Sequence, residues 1–441
     1  MGKRDTDDAA DPLDSGIAPP VPGGVVGLWK RYRRLPRNVF ALSLVSLLND
    51  VSSEIIYPLL PFFLNITLGV SPRVLGSIEG AAESVSSLLK LIAGHFSDRL
   101  GKRKSFVVFG YVLSSLTRPL LAFATGWAQV LGIRLSDRVG KGIRTAPRDA
   151  MIADTVAINE RGLAFGFHRA MDHTGAVVGP LIGYLLVLLF AADRNALTGR
   201  DFNRIFLLAS IPALAAALVV SFFVRESQKP KAARVDSDAP PVRFSLRGFD
   251  GNFKFFLVII ALFTLSNSSD FFLLLRARDA GVSVLSIPLL WAALHASKVL
   301  SSIFGGDLSD RLGRKRLIVS GWILYAAVYA GFAFVSHPIS VWILFLIYGI
   351  YFGLAEGAEK ALVADLVRPE QRGTAYGLYN LAFGITVFPA SLLMGALWDW
   401  RGAQTAFLVS AILGGTAALL LMITVSVRSS TDNSRSGAEP A

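Results

Sequence analysis

Segments of about twenty apolar residues recur along almost the whole chain, each long enough to cross a hydrocarbon core of roughly 30 Å as a helix. Twelve can be counted, over 38–68, 73–97, 104–126, 128–153, 162–191, 202–224, 252–278, 284–307, 316–336, 338–364, 372–398 and 403–427. With 53% hydrophobic and 17% charged residues in 441 positions, the chain lies outside the balance of soluble proteins. The expected fold class is therefore all-α, an integral membrane chain of twelve helices.

The net charge of +12 would suit a nucleic-acid partner only if it were clustered on one surface. It is spread over alternate loops instead. Lys30, Arg31, Arg33, Arg34 and Arg37 precede the first span, Lys102, Arg103 and Lys104 follow the second, Arg225, Lys229, Lys231 and Arg234 follow the sixth, and Arg314, Lys315 and Arg316 follow the eighth. By the positive-inside rule these loops and both termini are expected in the cytoplasm, with the chain in the plasma or inner membrane. No nucleic acid is implied.

Residues 1–37 read as a disordered cytoplasmic tail without the apolar run of a signal peptide. A polar stretch, 226–250, reads as a cytoplasmic linker between bundles at 38–225 and 251–428, and 429–441 as a second tail. The absence of cysteine excludes disulfides and thiol chemistry.

The two halves repeat each other. Ser97-Asp98-Arg99-Leu100-Gly101 returns unchanged as Ser309-Asp310-Arg311-Leu312-Gly313, and Ala153-Asp154 with Glu160-Arg161-Gly162 returns as Ala364-Asp365 with Gln371-Arg372-Gly373. Gly94, Asp98, Arg99, Gly101, Lys102, Arg103 and Lys104, then Gly306, Leu308, Asp310, Arg311, Gly313, Arg314 and Lys315, resemble the loop signature of major facilitator transporters, with Phe96 in place of the usual Leu in the first copy. The resemblance covers roughly residues 38–428. It implies two pseudo-symmetric six-helix bundles around a central substrate site.

A carboxylate at one helix end can accept from the free amides at another helix's N-terminus, where the macrodipole favours negative charge. The resemblance implies that Asp98 latches the start of the eleventh helix and Asp310 the start of the fifth, with Asp154, Asp365, Arg161 and Arg372 completing a charged gate. The alternative is that Arg99, Arg311 and the lysines set topology and the aspartates balance them.

The fourth span places Arg134, Asp137, Arg138, Lys141, Arg144, Arg148 and Asp149 within an arc of about 140° at helical spacing. Charge at membrane depth must face a partner or a wet cavity. Arg144 and Arg148 are expected as members of ion pairs; Arg134, Arg138 and Lys141 are candidates to meet an anionic substrate, for which guanidinium offers a bidentate fork. Arg138 and Gly142 also fit the family's Arg-x-x-Gln-Gly-x-Gly pattern, which the family ties to proton coupling, although Lys141 and Arg144 replace its Gln and last Gly. Asp50 with Glu54, and Glu79 with Glu83, are spaced i,i+4 and share helix faces. Two carboxylates that close and partly desolvated resist ionising together, so these four are proton-carrier candidates; neutralising Arg134, Arg138, Lys90 or Arg118 is the competing role.

In the fifth span Gly175, Gly179, Pro180 and Gly183 resemble the antiporter signature Gly-x-x-x-Gly-Pro-x-x-Gly-Gly, with Tyr184 at its last position. Close helix packing with a kink is the plainer reading. Arg169 and Asp172 lie i,i+3 and are expected to pair. His168 and His173 lack the acid or cysteine cluster of a metal site. The second half is barer: Asp270, His295, Lys298, Glu356, Glu359 and Lys360 are its main midmembrane polar residues, the last two suited to ion pairing, among apolar walls including Phe271, Phe272, Trp291 and Tyr348.

No Walker-type loop, metal cluster or nucleophile arrangement appears, so neither enzymatic activity nor a cofactor is expected. The pattern predicts a monomeric secondary transporter working by alternating access, with a small-molecule substrate, the proton as coupling ion and lipid as surroundings. Proton-driven efflux by antiport is favoured by the fifth span, and uptake of an organic anion by symport by the fourth. A transporter-like sensor is the remaining reading.

Overall fold

The computed structural model describes residues 35–157, 160–191, 197–226, 246–368 and 371–425. The tails, and the linker except at its two ends, lie outside them. The helices are α1 (Arg37–Ile56), α2 (Pro72–Leu100), α3 (Arg103–Thr117), α4 (Trp127–Thr155), α5 (Arg161–Phe190), α6 (Gly199–Phe223), α7 (Gly251–Ser266), α8 (Phe271–Asp279), α9 (Ile287–Leu312), α10 (Arg314–Phe334), α11 (Pro338–Asp365) and α12 (Arg372–Thr424).

Among the described residues, nine helical stretches are long and apolar enough to cross a membrane. One is α12, whose 53 residues fold back at Gly402, where φ is 84° and ψ 168°. The eleventh and twelfth expected spans are thus joined through one left-handed glycine rather than a loop. Two further helices, α2 and α4, are 29 residues long but too charged to count on hydropathy.

Two expected spans are interrupted. After α1, Pro58 and Pro61 cannot donate to a continuing helix, and the chain re-forms as a π turn at Phe63–Thr67. The seventh breaks at residues 267–270, Asn-Ser-Ser-Asp, separating α7 from α8. Short polar side chains there compete with the helical hydrogen bonds. All four of these residues line the cavity described below.

Packing follows the sequence repeat. α1 packs on α5 and α6, α2 on α4, and α3 on α4 and α6; α7 packs on α12, α9 on α11, and α10 on α11 and α12. Contacts of α2 with α12 and of α5 with α9 join the two sets. The signature loops turn at Gly101 and Gly313, with φ of 64° and 86°, a conformation that a side chain would strain.

Candidate functional site

The two sets of helices enclose a cavity of about 570 Å³ whose wall carries most of the buried charge. The charged face of α4 looks onto it, and α2 supplies the answering acids. Arg134 donates to both oxygens of Glu79, through Nη2 at 2.7 and 2.5 Å and through Nε at 3.2 Å. Arg138 adds Nη2 to Glu79 at 3.2 Å and lies 3.7 Å from Glu83. Asp137 is held by Arg118 Nε at 3.2 Å, with Arg134 at 3.9 Å. Arg118 also donates to the Asn49 carbonyl and side chain, at 2.8 and 3.0 Å, tying α1 into the group. Three guanidiniums thus meet three carboxylates in one connected network, the arrangement that buried charge requires.

Two members of the same face are not answered this way. Lys141 forms neither an ion pair nor a hydrogen bond through its ammonium group among the described residues, and it lines the cavity. Arg144 meets no carboxylate among the described residues; it donates to Ser114 Oγ at 2.6 Å and lies over the Tyr111 ring, 4.4 Å from its centroid. The expectation of a paired Arg144 is corrected: a hydroxyl and an aromatic face of α3 occupy the place of an acid. Arg148 does pair, with Asp149 at 2.9 Å, and also reaches Ser46 at 3.1 Å.

On α1 the i,i+4 acids diverge in their partners. Among the described residues Asp50 accepts from Asn49 Nδ2 alone, at 3.1 Å. Glu54 accepts from the Trp291 indole of α9 at 2.7 Å, with His295 Nε2 at 3.7 Å. Neither touches a lysine or arginine among the described residues. They stand where α5 packs tightly on α1. A Cβ at Gly175 would lie 2.9 Å from Asp50 Cβ, and one at Gly179 2.8 Å from both Glu54 Cβ and the Val51 carbonyl, too close for any side chain. Pro180 lies within α5 without ending it.

The second half contributes Asp270, which accepts from Tyr348 at 2.9 Å and faces Lys298 at 3.9 Å. Lys298 lies 3.6 Å from the Phe352 ring centroid. Glu356 pairs with Lys360 at 3.0 Å. Lys360 thus finds the same-helix pair expected of it, whereas the Glu359 carboxylate turns to the Trp322 indole and the Tyr379 hydroxyl, at 2.8 and 2.9 Å. Arg169 and Asp172 both line the cavity but do not pair; Asp172 turns to His168, 3.7 Å away one helical turn earlier.

At the signature loops, Asp154 takes Arg103 and Asp365 takes Arg314, and each arginine also donates to a carbonyl of the same neighbouring helix, Ala150 at 3.3 Å and Ala361 at 3.0 Å. Of the other two residues expected in this gate, Arg161 donates to the Ala153 carbonyl at 3.2 Å, and Arg372 forms no ion pair among the described residues. Arg99 is exposed. The side chains of Asp98, Asp310 and Arg311 lie outside the described residues, as does that of Gly306's neighbour Asp307. Gly94 and Gly306 lie within α2 and α9.

Contacts between the sets gather at the ends remote from these loops: Glu54 with Trp291, Asn65 with Arg278 at 3.2 Å, the Arg73 amide with Asp399 at 3.2 Å, and Tyr57 against Phe271. Toward the loops, the side chains of Asp149, Glu356 and Lys360 are 43%, 57% and 48% exposed. Sequence reasoning missed Asn49, Ser114 and Phe352; only their helical register relative to named charges pointed to them.

The profile of the Major Facilitator Superfamily matches residues 42–386 and 255–441. An uncharacterized MFS-type transporter of Methanocaldococcus jannaschii is 36% identical over 396 residues, covering 88% of this chain and 95% of that protein. A multi-drug resistance efflux pump PmrA homolog of Lactococcus lactis is 26% identical over 342 residues, 76% of this chain and 81% of the relative. Among solved structures, a bacterial homolog of the human lysosomal transporter Spinster, inward-facing and occupied, aligns with a TM-score of 0.69 at 16% identity, over 90% of this chain and 96% of that one. The chain belongs to the Major Facilitator Superfamily, whose members are membrane transporters and not enzymes.

Proposed function

We propose that this transporter exports a small molecule in exchange for protons, by alternating access of the central cavity across a cell membrane. The carrying observation is the pair Asp50 and Glu54: two carboxylates on one face of α1, at the cavity, without a lysine or arginine partner among the described residues. An acid already committed to an arginine has little reason to take up a proton, whereas these two do not have one. Glu79, Glu83 and Asp137 answer the α4 arginines instead and are assigned a structural role. The likeness to an efflux pump supports export. In this reading the chain works as a monomer, in the inner or plasma membrane, with twelve crossings in two six-helix bundles and both termini in the cytoplasm. The cavity then faces inward, since the contacts between bundles close its opposite end.

The test uses the full chain in liposomes carrying a pH-sensitive dye, with a substrate first identified by thermal stabilisation. Substrate flux should move protons the other way, and Asp50→Asn or Glu54→Gln should abolish gradient-driven accumulation while leaving substrate exchange. Flux that is indifferent to collapse of the pH gradient would overturn proton coupling.

Lys141 favours a second reading, proton-coupled uptake of an organic anion, because an ammonium on the cavity wall without an ion pair among the described residues offers a carboxylate or phosphate its counter-ion.

A further inference from the structure

A second hollow lies away from the central cavity and shares no lining residue with it. It is a groove of about 890 Å³ between the signature-loop ends of α1, α5 and α6, walled by Phe40, Leu44, Phe167, Met171, Phe222 and Phe223. Phe222 and Phe223 are 78% and 70% exposed, so its mouth opens outward. Two arginines, Arg37 and Arg225, close one end. Their proximity is built in: Asn38 Nδ2 donates to the Arg225 carbonyl at 2.8 Å, and the Arg225 amide donates back to Asn38 Oδ1 at 2.9 Å. The neighbouring Glu226 carboxylate is directed elsewhere, accepting from the Lys104 amide at the start of α3 at 3.0 and 3.2 Å. Neither arginine has an ion pair among the described residues.

We propose that this groove binds an anionic phospholipid, with one acyl chain along the phenylalanines and its phosphate held by Arg37 and Arg225. Both parts of the site match one molecule. The outward-facing apolar wall meets acyl chains where the helix lies in the bilayer, and α1 from Arg37 to Leu44 spans about 10 Å, a stretch an acyl chain can follow. The guanidiniums sit at the helix ends, at headgroup depth, where they can fork onto phosphate oxygens. A zwitterionic lipid would bring its own cation to that end, so charge complementarity selects phosphatidylglycerol or a related anion over phosphatidylcholine. The site is independent of what the central cavity carries.

The full chain, stripped of lipid in detergent, is given equal amounts of phosphatidylglycerol and phosphatidylcholine with the same acyl chains, and retained lipid is counted by native mass spectrometry. Phosphatidylglycerol should be retained several-fold over phosphatidylcholine. The double variant Arg37→Gln/Arg225→Gln should bring the ratio to about one, and Leu44→Trp, which fills the groove and leaves the arginines, should lower retention of phosphatidylglycerol with an unchanged melting temperature. Equal retention of the two lipids by the native chain, or a preference that survives the double variant, would overturn the site. So would inorganic phosphate displacing the lipid with no effect of Leu44→Trp, which would define an anion site without a lipid groove.

Discussion

The indole of Trp291 donates to Glu54 at 2.7 Å across 237 residues of sequence, joining α9 to α1 at the closed end of the cavity. The same indole stacks on Tyr57, with centroids 5.1 Å apart. A candidate proton carrier is therefore also part of the contact that holds the two bundles together at that end, so loading a proton and releasing the contact act on one carboxylate.

Trp291→Phe removes the donor while keeping an aromatic ring against Tyr57. A hydrogen bond to a charged acceptor contributes about 1.5–3 kcal/mol, so the closed-end contact should weaken roughly ten- to a hundredfold. Spin labels on α4 and α11 near the open end, read by pulsed electron resonance, should show a larger share of molecules closed there. An unchanged distance distribution would mean that the contact does not bias the two states.

Glu79→Gln should be the most damaging of the four acid neutralisations. It strips Arg134 and Arg138 of their shared carboxylate in a buried setting, at a cost of about 3–5 kcal/mol. The expected result is a lowered melting temperature and poor yield, with partial recovery on adding Arg134→Gln. Asp50→Asn removes no such partner, and its melting temperature should stay near that of the native chain. Equal destabilisation by the two would show that Asp50 is also part of the structural network.

Gly179→Ala and Gly183→Ala separate close approach from mere helix propensity. A methyl at 179 meets Glu54 Cβ and the Val51 carbonyl at 2.8 Å, whereas at 183 the nearest atom is 3.5 Å away. The first should cost about 1–3 kcal/mol by overpacking and displace Glu54; the second should be near neutral. Thermal melts of both variants, with transport rates, decide it. A neutral Gly179→Ala would show that α1 and α5 can part freely.

Much of this was legible before the structure, and the failures share a cause. Residues repeating at offsets of 211 and 212 announced the two-part plan, yet the gate read from them grouped Asp154 and Asp365 with Arg161 and Arg372 and left out Arg103 and Arg314. The signal for Arg103 lay in the repeat itself, since Arg103 and Asp154 both return 211 residues later as Arg314 and Asp365, and the pair returns with them. The charged face of α4 could be read from helical spacing. Which acid answers which cation could not, because that depends on how α2 is rotated against α4. Trp291 and Glu54 have no repeat counterpart, and their meeting follows from the approach of α1 to α9 alone.

Lys141→Gln tests whether the unpaired cation of α4 meets the substrate. Three residues before it, Arg138 contacts Glu79 and Glu83, whereas the Lys141 ammonium has no bonded partner among the described residues. Glu83 keeps Arg138 at 3.7 Å after its removal, so the melting temperature should fall far less than in Glu79→Gln. If the ammonium meets a substrate carboxylate or phosphate, affinity for that anion should drop by about tenfold or more, the scale of a lost charge-assisted hydrogen bond. Lys141→Arg should keep most of it, and an uncharged substrate should bind as before. Calorimetric titration of the native chain and both variants measures this directly. Equal loss for charged and uncharged substrates would mark Lys141 as a shaper of the cavity, and the uptake reading built on it would fall while the coupling role of Asp50 and Glu54 stood untouched.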